Sequence, residues 1–185
     1  MDDLSTIRQS PALNLGSAGL SSAIRLLPPY SRFVLRGRPA VMAAAGQAIG
    51  LSLSEVACRS VTQADRSALW QSPDEQLLIT SPADGESLKQ QLREALHELP
   101  HSLVEVSHRQ IALEVQGAQA ADLLNVGCPL DLHIRSFPVG MCTRTLLGKC
   151  DIVLWRRSAD TFHLEVWRSF ADYAARFLAE AGETL

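Results

Sequence analysis

Apolar residues recur at helical spacing in two stretches of the chain. Within residues 88–99 they fall at positions i, i+4, i+7, i+8 and i+11, and Pro100 ends the run. Near the C-terminus, residues 170–181 carry apolar side chains at i, i+3, i+4, i+7, i+8 and i+11. Each pattern predicts an amphipathic helix that buries one face.

Other stretches alternate in hydrophobicity, which is the pattern of a half-buried strand. Ile111, Leu113 and Val115 alternate with small or polar neighbours. An earlier strand is expected over residues 32–36. After that strand a helix should begin at Pro39, because the missing amide proton of proline costs nothing at the first helical position.

Two similar segments predict hairpins in the two halves of the chain. In LWQSPDEQLLIT, apolar residues flank a turn that contains Asp74. The later segment LWRRSADTFHLEV aligns Trp155 with Trp70 and Asp160 with Asp74. This similarity indicates an internal duplication.

Each half of the chain is predicted to run strand, helix, hairpin, helix. Gly37 and Gly117 take equivalent places, each between a strand and the helix that follows. The repeats cover about residues 32–99 and 110–182, and two such halves can share one sheet with helices on one side. We therefore predict an α+β fold with internally duplicated units that share a sheet.

The N-terminal residues 1–20 are rich in Ser, Gly and Asp and show no sustained period, so we expect an arm there and a single duplicated domain over residues 21–185. The start of the chain lacks the basic and apolar regions of a secretory signal, which favours a cytoplasmic protein. No apolar run approaches the roughly 20 residues of a bilayer span, so no membrane partner is expected.

Charge and composition narrow the classes of function. Hydrophobic residues make up 46% of the chain and charged residues 20%, as in globular proteins. The net charge is −3, from 17 basic and 20 acidic residues without a Lys/Arg block, so nucleic acid is not expected as a partner.

Motifs for catalysis or metal binding are not found in the sequence. The four cysteines form no C-x-x-C pair, which favours small buried thiols over a metal or redox site. His97 and His101 have helical spacing, but Pro100 lies between them and breaks that geometry. No nucleophile elbow, dinucleotide fingerprint or P-loop occurs, so we assign no catalytic and no metal-binding residue.

A polar cluster lies between the two predicted repeats and allows two interpretations. It contains Glu105, Ser107, His108 and Arg109. In the functional interpretation Arg109 binds a carboxylate and His108 orients it, because a guanidinium suits bidentate carboxylate recognition. In the structural interpretation Ser107 caps the bend between two strands while the other side chains face solvent.

The segment of residues 127–149 combines loop-forming residues with many apolar ones, and either partner contact or core packing would account for it. Pro129, Pro138 and Gly140 disfavour a long regular element that could bury every apolar side chain internally. We therefore predict that part of the segment faces a partner protein. The apolar side chains in question are Leu130, Leu132, Ile134, Phe137, Val139 and Met141.

Four segments resemble the gamma subunits of heterotetrameric sarcosine oxidases: VEVSHRQIALEVQG, GCPLDLH, FPVGMCTRTLLGK and FHLEVWRSFADY. The resemblance covers roughly residues 30–180. Through that family the chain is similar, more distantly, to the folate-binding aminomethyltransferase of the glycine cleavage system. The resemblance implies an aminomethyltransferase-like fold.

The same resemblance implies a division of labour within a complex. Its alpha, beta and delta subunits would be the partners of this chain, and FAD, FMN, NAD and tetrahydrofolate would be held on those other subunits. The complex would oxidatively demethylate sarcosine to glycine with oxygen as electron acceptor, and pass the one-carbon unit to tetrahydrofolate. Gamma would be a non-catalytic subunit that supports assembly of this oxidoreductase.

An alternative is a stand-alone protein that binds tetrahydrofolate or transfers aminomethyl groups. The aminomethyltransferases carry a Gly-rich turn and adjacent acidic residues where this chain has GKCDIVLW, in which only Asp151 remains of the acidic pair. A degenerate folate pocket would include Arg109, Arg144 and Asp151. A scaffold protein outside sarcosine metabolism is the third hypothesis.

Overall fold

The computed structural model describes residues 23–183. The predicted arm at residues 1–20 lies outside the described residues. Within the described range the helices are α1 (Pro39–Ile49), α2 (Gly85–Leu96), α3 (Ala120–Asn125) and α4 (Ala171–Gly182). The strands of that range are β1 (Ile24–Leu26), β2 (Ser31–Gly37), β3 (Ser60–Gln63), β4 (Arg66–Ser72), β5 (Glu75–Thr80), β6 (His101–Glu105), β7 (Gln110–Gln116), β8 (Cys142–Leu147), β9 (Cys150–Ser158) and β10 (Thr161–Trp167).

The chain divides into two compact units, each with one antiparallel sheet. Within the described residues, unit 1 comprises 23–29 and 108–183, and unit 2 comprises Tyr30–Ser107. The strand order is β8-β9-β10-β7-β1 in unit 1 and β3-β4-β5-β2-β6 in unit 2. The two orders correspond strand by strand. In each sheet an edge strand (β8 or β3) pairs with a hairpin (β9 and β10, or β4 and β5). The hairpin then pairs with the first strand of the repeat (β7 or β2), and a second edge strand (β1 or β6) completes the sheet.

In unit 2 the sheet packs one face against two helices. Phe33 and Leu35 of β2 lie in a core with apolar side chains of α1 and α2. Pro39 begins α1 as predicted, and Gly50 ends it in a left-handed conformation with φ 70°. The apolar stripe of α2 is buried at Leu88, Leu92 and Leu96, which confirms its predicted amphipathic helix.

In unit 1 the sheet likewise packs one face against α3 and α4. The core side chains come from alternate positions of β7, β9 and β10, because successive side chains of a strand point to opposite faces. Leu113, Leu154 and Leu164 are fully buried in this core. The stripe predicted for the C-terminal helix is buried at Ala174 and Leu178.

The turn chemistry of the hairpins confirms the duplication. The amide of Gly37 donates a hydrogen bond of 3.0 Å to the carbonyl of Asp74, and the amide of Gly117 donates one of 2.9 Å to the carbonyl of Asp160. In both units the residue that leaves the first strand is thus tied to the tip of the hairpin. Gly117 has φ 115°, a conformation that only glycine adopts without strain.

Two details of the predicted fold need correction. The duplicated units do not share one sheet, since each forms a separate five-stranded sheet. The two tryptophans are also not equivalent. With Leu78 matched to Leu164, the strand register matches Trp155 to Leu69, so Trp70 and Trp155 lie on opposite faces of their sheets.

The single duplicated domain predicted for residues 21–185 stays a prediction. Among the residues that the structure describes, no helix is both long enough and apolar enough to cross a bilayer.

Candidate partner-binding surface

The segment between α3 and β8 is anchored by a buried arginine. Arg156 lies on the core-facing register of β9, and its guanidinium donates hydrogen bonds of 2.8 Å to the carbonyl of Leu132 and 2.9 Å to that of Phe137. It also donates to the carbonyls of Ser158 and Ala159. One side chain therefore fixes two points of the segment to the hairpin.

The environment of Arg156 is unusual for a cation. The guanidinium lies 4.7 Å from the centre of the Phe162 ring, in cation–π geometry. Burial lowers the pKa of Arg156, and the charge of Asp160 acts in the opposite direction. A buried charge requires such compensation, so Arg156 is a structural anchor whose removal would leave several carbonyls without a donor.

This anchoring divides the predicted contact residues into three groups. Leu132 and Phe137 are fully buried in the core of unit 1, so their prediction as partner-binding residues is wrong. Leu130 and Met141 are half-buried and pack against the same core. Ile134 and Val139 are exposed. The segment buries more of itself than the prolines indicated, because Arg156 supplies the hydrogen bonds that a regular element would otherwise provide.

Two glycines hold the base of the segment close to α4. A Cβ on Gly127 would lie 2.5 Å from the ring of Phe177 and 2.9 Å from the backbone nitrogen of Gly148. Gly148 has φ 58°, and its amide donates to the carbonyl of Gly127. The Tyr173 hydroxyl accepts a 3.0 Å hydrogen bond from the amide of Lys149. These motif glycines are therefore required for close packing.

The three residues predicted for a degenerate folate pocket lie toward one end of the unit 1 sheet. Asp151 is the second residue of β9 and pairs with Leu146, while Arg144 pairs with Val153, so Asp151 and Arg144 are diagonal neighbours on one face. Arg109 precedes β7, two strands away from β9, which corresponds to about 10 Å. All three side chains are exposed.

Two clefts in the described residues are lined by other side chains than these three. One cleft, of about 560 Å³, lies in unit 2 beside the end of α1 and includes Met42 and Gln63. The other, of about 500 Å³, lies in unit 1 beside the hairpin tip and includes Gly117 and Asp160. Because neither of these two clefts includes Arg109, Arg144 or Asp151, we derive no folate chemistry from them.

The polar cluster between the repeats is mainly structural at its unit 2 end. Ser107 accepts the amide of Arg32 at 3.0 Å and donates to Glu105 at 3.1 Å. Glu105 also forms a 3.0 Å ion pair with Lys89. Ser107 thus caps the bend, as in the structural interpretation. Arg109 belongs to unit 1 and lies over the Trp167 ring, 5.6 Å from its centre.

Cysteines and histidines provide no metal centre in residues 23–183, where no group of three or more metal-ligating side chains is found. Cys128, Cys142 and Cys150 are buried thiols. Burial, with the nearby charge of Asp151, raises the pKa of Cys150, which keeps that thiol neutral. His163 and Glu165 form a buried pair at 2.7 Å on the sheet face opposite the core of unit 1.

Comparison with known proteins decides the family. A model described as the sarcosine oxidase, gamma subunit family matches residues 36–184. The chain belongs to this family. It is 28% identical to the sarcosine oxidase subunit gamma of Corynebacterium sp. (strain P-1), covering 95% of this chain and 90% of that one. It is 29% identical to that of Arthrobacter sp, with the same coverage.

Solved structures agree with the family. The chain superposes on one from the heterotetrameric sarcosine oxidase of Corynebacterium sp. U-96, solved in complex with pyrrole 2-carboxylate, with a TM-score of 0.85, 27% identity and coverage of 96% of both chains. The aminomethyltransferase T of the glycine cleavage system from Bartonella henselae matches with a TM-score of 0.64 and 13% identity, over 84% of this chain and 44% of that one. This second match confirms the aminomethyltransferase-like fold.

Proposed function

We propose that this chain is the non-catalytic gamma subunit of a heterotetrameric sarcosine oxidase and supports assembly of the complex. The observation that carries the proposal is the end-to-end structural match, since 96% of this chain superposes on 96% of a chain from the Corynebacterium heterotetramer. A match over the full length favours the same role in a complex over reuse of the fold alone.

The partners proposed for this chain are the alpha, beta and delta subunits. The complex would demethylate sarcosine to glycine in the cytoplasm, with FAD, FMN, NAD and tetrahydrofolate bound to those subunits. This chain would contribute folded surface and no catalytic group. Its structure supports such a role, because the anchored segment presents side chains on a fixed backbone, which lowers the entropy cost of binding.

Part of the proposed contact surface is the exposed portion of residues 127–141. Ile134 and Val139 are exposed on this segment, and Leu130 and Met141 lie half-buried beneath it. Arg156 fixes the backbone on both sides of Ile134, at Leu132 and Phe137. These apolar side chains would be covered by the partner, as is usual at the centre of stable subunit interfaces.

Co-expression tests the proposed function. We expect the affinity-tagged chain to retain the alpha, beta and delta subunits of its own organism and to recover sarcosine-dependent oxygen consumption. Ile134→Asp with Val139→Asp should lower recovery of the complex, because both charges would be buried on assembly. Val104→Asp, at an exposed valine in unit 2, is the matched control. Purification of an active complex of the other subunits to which the wild-type chain does not bind would refute the proposal.

A further inference from the structure

A row of exposed side chains crosses the end of the unit 1 sheet that lies beyond Val166. Trp167 ends β10 and Leu146 lies near the end of β8, and both point to the face opposite the core. Asp151, the second residue of β9, lies between them, because it pairs with Leu146 and the next residue, Ile152, pairs with Val166. The two apolar side chains are therefore about 10 Å apart along the row.

Large apolar side chains are unusually accessible here. Trp167 is 47% exposed and Leu146 is 44% exposed, while Val153 and Glu165, one step further along the same face, are buried. Phe170, three residues after Trp167, is also exposed. We call the exposed set of Arg109, Leu146 and Trp167 the Trp167 patch.

The side chains of Arg109 and Trp167 are stacked on each other. The guanidinium lies 5.6 Å from the centre of the indole ring, and the amide of Arg168 donates to the carbonyl of Arg109 at 2.8 Å, which ties the two chain segments together. Trp and Arg are the residues most often found to dominate binding energy at protein interfaces. A stacked pair on tied backbone loses little side-chain entropy when it is covered.

The charges around the patch identify the chemistry of its partner. The exposed basic residues are Arg109, Arg144, Lys149 and Arg168, and the exposed acidic residues are Asp151 and Asp172. Four of these exposed residues are basic and two are acidic, whereas the whole chain carries a net charge of −3. A second copy of the chain would place like charges face to face. The patch instead suits a surface that offers carboxylates around an apolar centre.

We propose that the Trp167 patch binds an acidic, apolar-centred surface on another subunit of the sarcosine oxidase complex. The proposal rests on the proposed function and adds a second contact to it, at the sheet end opposite Val139. Trp167 inserts between apolar side chains of the partner, and Arg109 faces a partner carboxylate. Burial of the stacked pair excludes water from that charge pair and strengthens it.

The test uses the full chain titrated onto immobilised complex of the remaining subunits. Trp167→Ala and Arg109→Glu should each weaken binding roughly tenfold or more. Val56→Ala, at an exposed valine in unit 2, should bind as the wild type does. Increasing salt should weaken the wild type more than Arg109→Glu, because the substitution removes the attraction that salt screens. Thermal melts of each variant establish that it is folded.

The outcomes separate this proposal from the proposed function. If the wild type does not bind the complex, the proposed function fails. If the wild type binds and both folded variants bind equally well, only the Trp167 patch is overturned. Trp167-dependent dimers of the isolated chain would overturn the patch as well. So would Trp167-dependent sedimentation with phosphatidylglycerol vesicles, because a second copy or a lipid surface would then be the occupant.

Discussion

The two units connect their first helix to the next strand in different ways. In unit 2, residues 50–59 join α1 to β3, whereas in unit 1 the longer residues 126–141 join α3 to β8. The position that faces the core on the hairpin is Trp70 in unit 2 and Arg156 in unit 1. Unit 1 therefore has, where unit 2 has an aromatic side chain, a hydrogen-bond donor that holds the longer connection.

Unit 2 also contains an anchoring arginine, but it is paired differently. Arg66 makes a bidentate ion pair with Asp84, at 2.7 and 2.8 Å, and donates to the carbonyl of Ile49 at the end of α1. The hydrogen bonds described for Arg156 go to carbonyl oxygens. In unit 2 the anchoring arginine is thus paired with a carboxylate, which titrates. In unit 1 the hydrogen bonds of Arg156 go to backbone carbonyls, which do not.

The largest effect is expected from Arg156→Met. Loss of the guanidinium leaves the carbonyls of Leu132 and Phe137 buried without this donor, so unfolding of unit 1 should become easier by about 3–5 kcal/mol. Hydrogen exchange read by mass spectrometry should show faster exchange over residues 127–141 and little change in unit 2. Arg157→Met is the matched control, because its side chain is 43% exposed, and its ion-pair partner Glu114 keeps a shorter 2.7 Å pair with Arg25. Equal effects of both substitutions would contradict the anchor.

A smaller effect is expected from Gly127→Ala. The added methyl meets the Phe177 ring at 2.5 Å, which should cost about 1–3 kcal/mol in urea unfolding. Phe177→Leu in the same chain should recover part of that loss, because it removes the atoms that clash. At Gly182 a Cβ would meet only Leu123, at an ordinary 3.9 Å, so Gly182→Ala should be close to neutral. No difference between the two alanine variants would show that the base of the segment is loosely packed.

The smallest effect is expected from Asp84→Asn in unit 2, about 1 kcal/mol at neutral pH. Hydrogen bonding from Arg66 lowers the pKa of Asp84 below its ordinary value of 3.8. The carboxylate therefore stabilises the fold above that value, and the contribution is lost as the pH falls through the lower folded-state pKa. The stability difference between wild type and Asp84→Asn should shrink over this range, while that of Arg156→Met should not. A constant difference for Asp84→Asn would contradict the assigned role of the ion pair.

Local sequence patterns predicted much of the fold. The start of α1 at Pro39 followed from a rule about one residue, and the helical stripes followed from periodicity. The equivalence of Gly37 and Gly117 was visible because each precedes a helix. The separation into two sheets was not visible, since pairing between distant strands depends on tertiary contacts that periodicity does not encode.

The contact surface was less predictable. Arg156 was not singled out from the sequence, although its alternation with Ile152 and Leu154 places it on the core face, a signal that could have found it. Phe137 was predicted to face a partner because the hydrogen bond from Arg156 to its carbonyl was not foreseen. Trp167 was not singled out, because its exposure depends on where β10 ends relative to its neighbours.

The order of synthesis follows from the strand that completes the unit 1 sheet. In unit 2 that edge strand is β6, which comes last in its repeat, whereas in unit 1 it is β1, which leaves the ribosome first and pairs Ile24 with Val115. All strands of unit 2 are synthesised before β7 exists, so unit 2 can fold on the nascent chain. Until β7 has been synthesised, the backbone groups of β1 cannot form their pairing with it. Pairing of β1 with β7 therefore closes a loop that contains all of unit 2. We expect unit 1 to fold later and more slowly than unit 2.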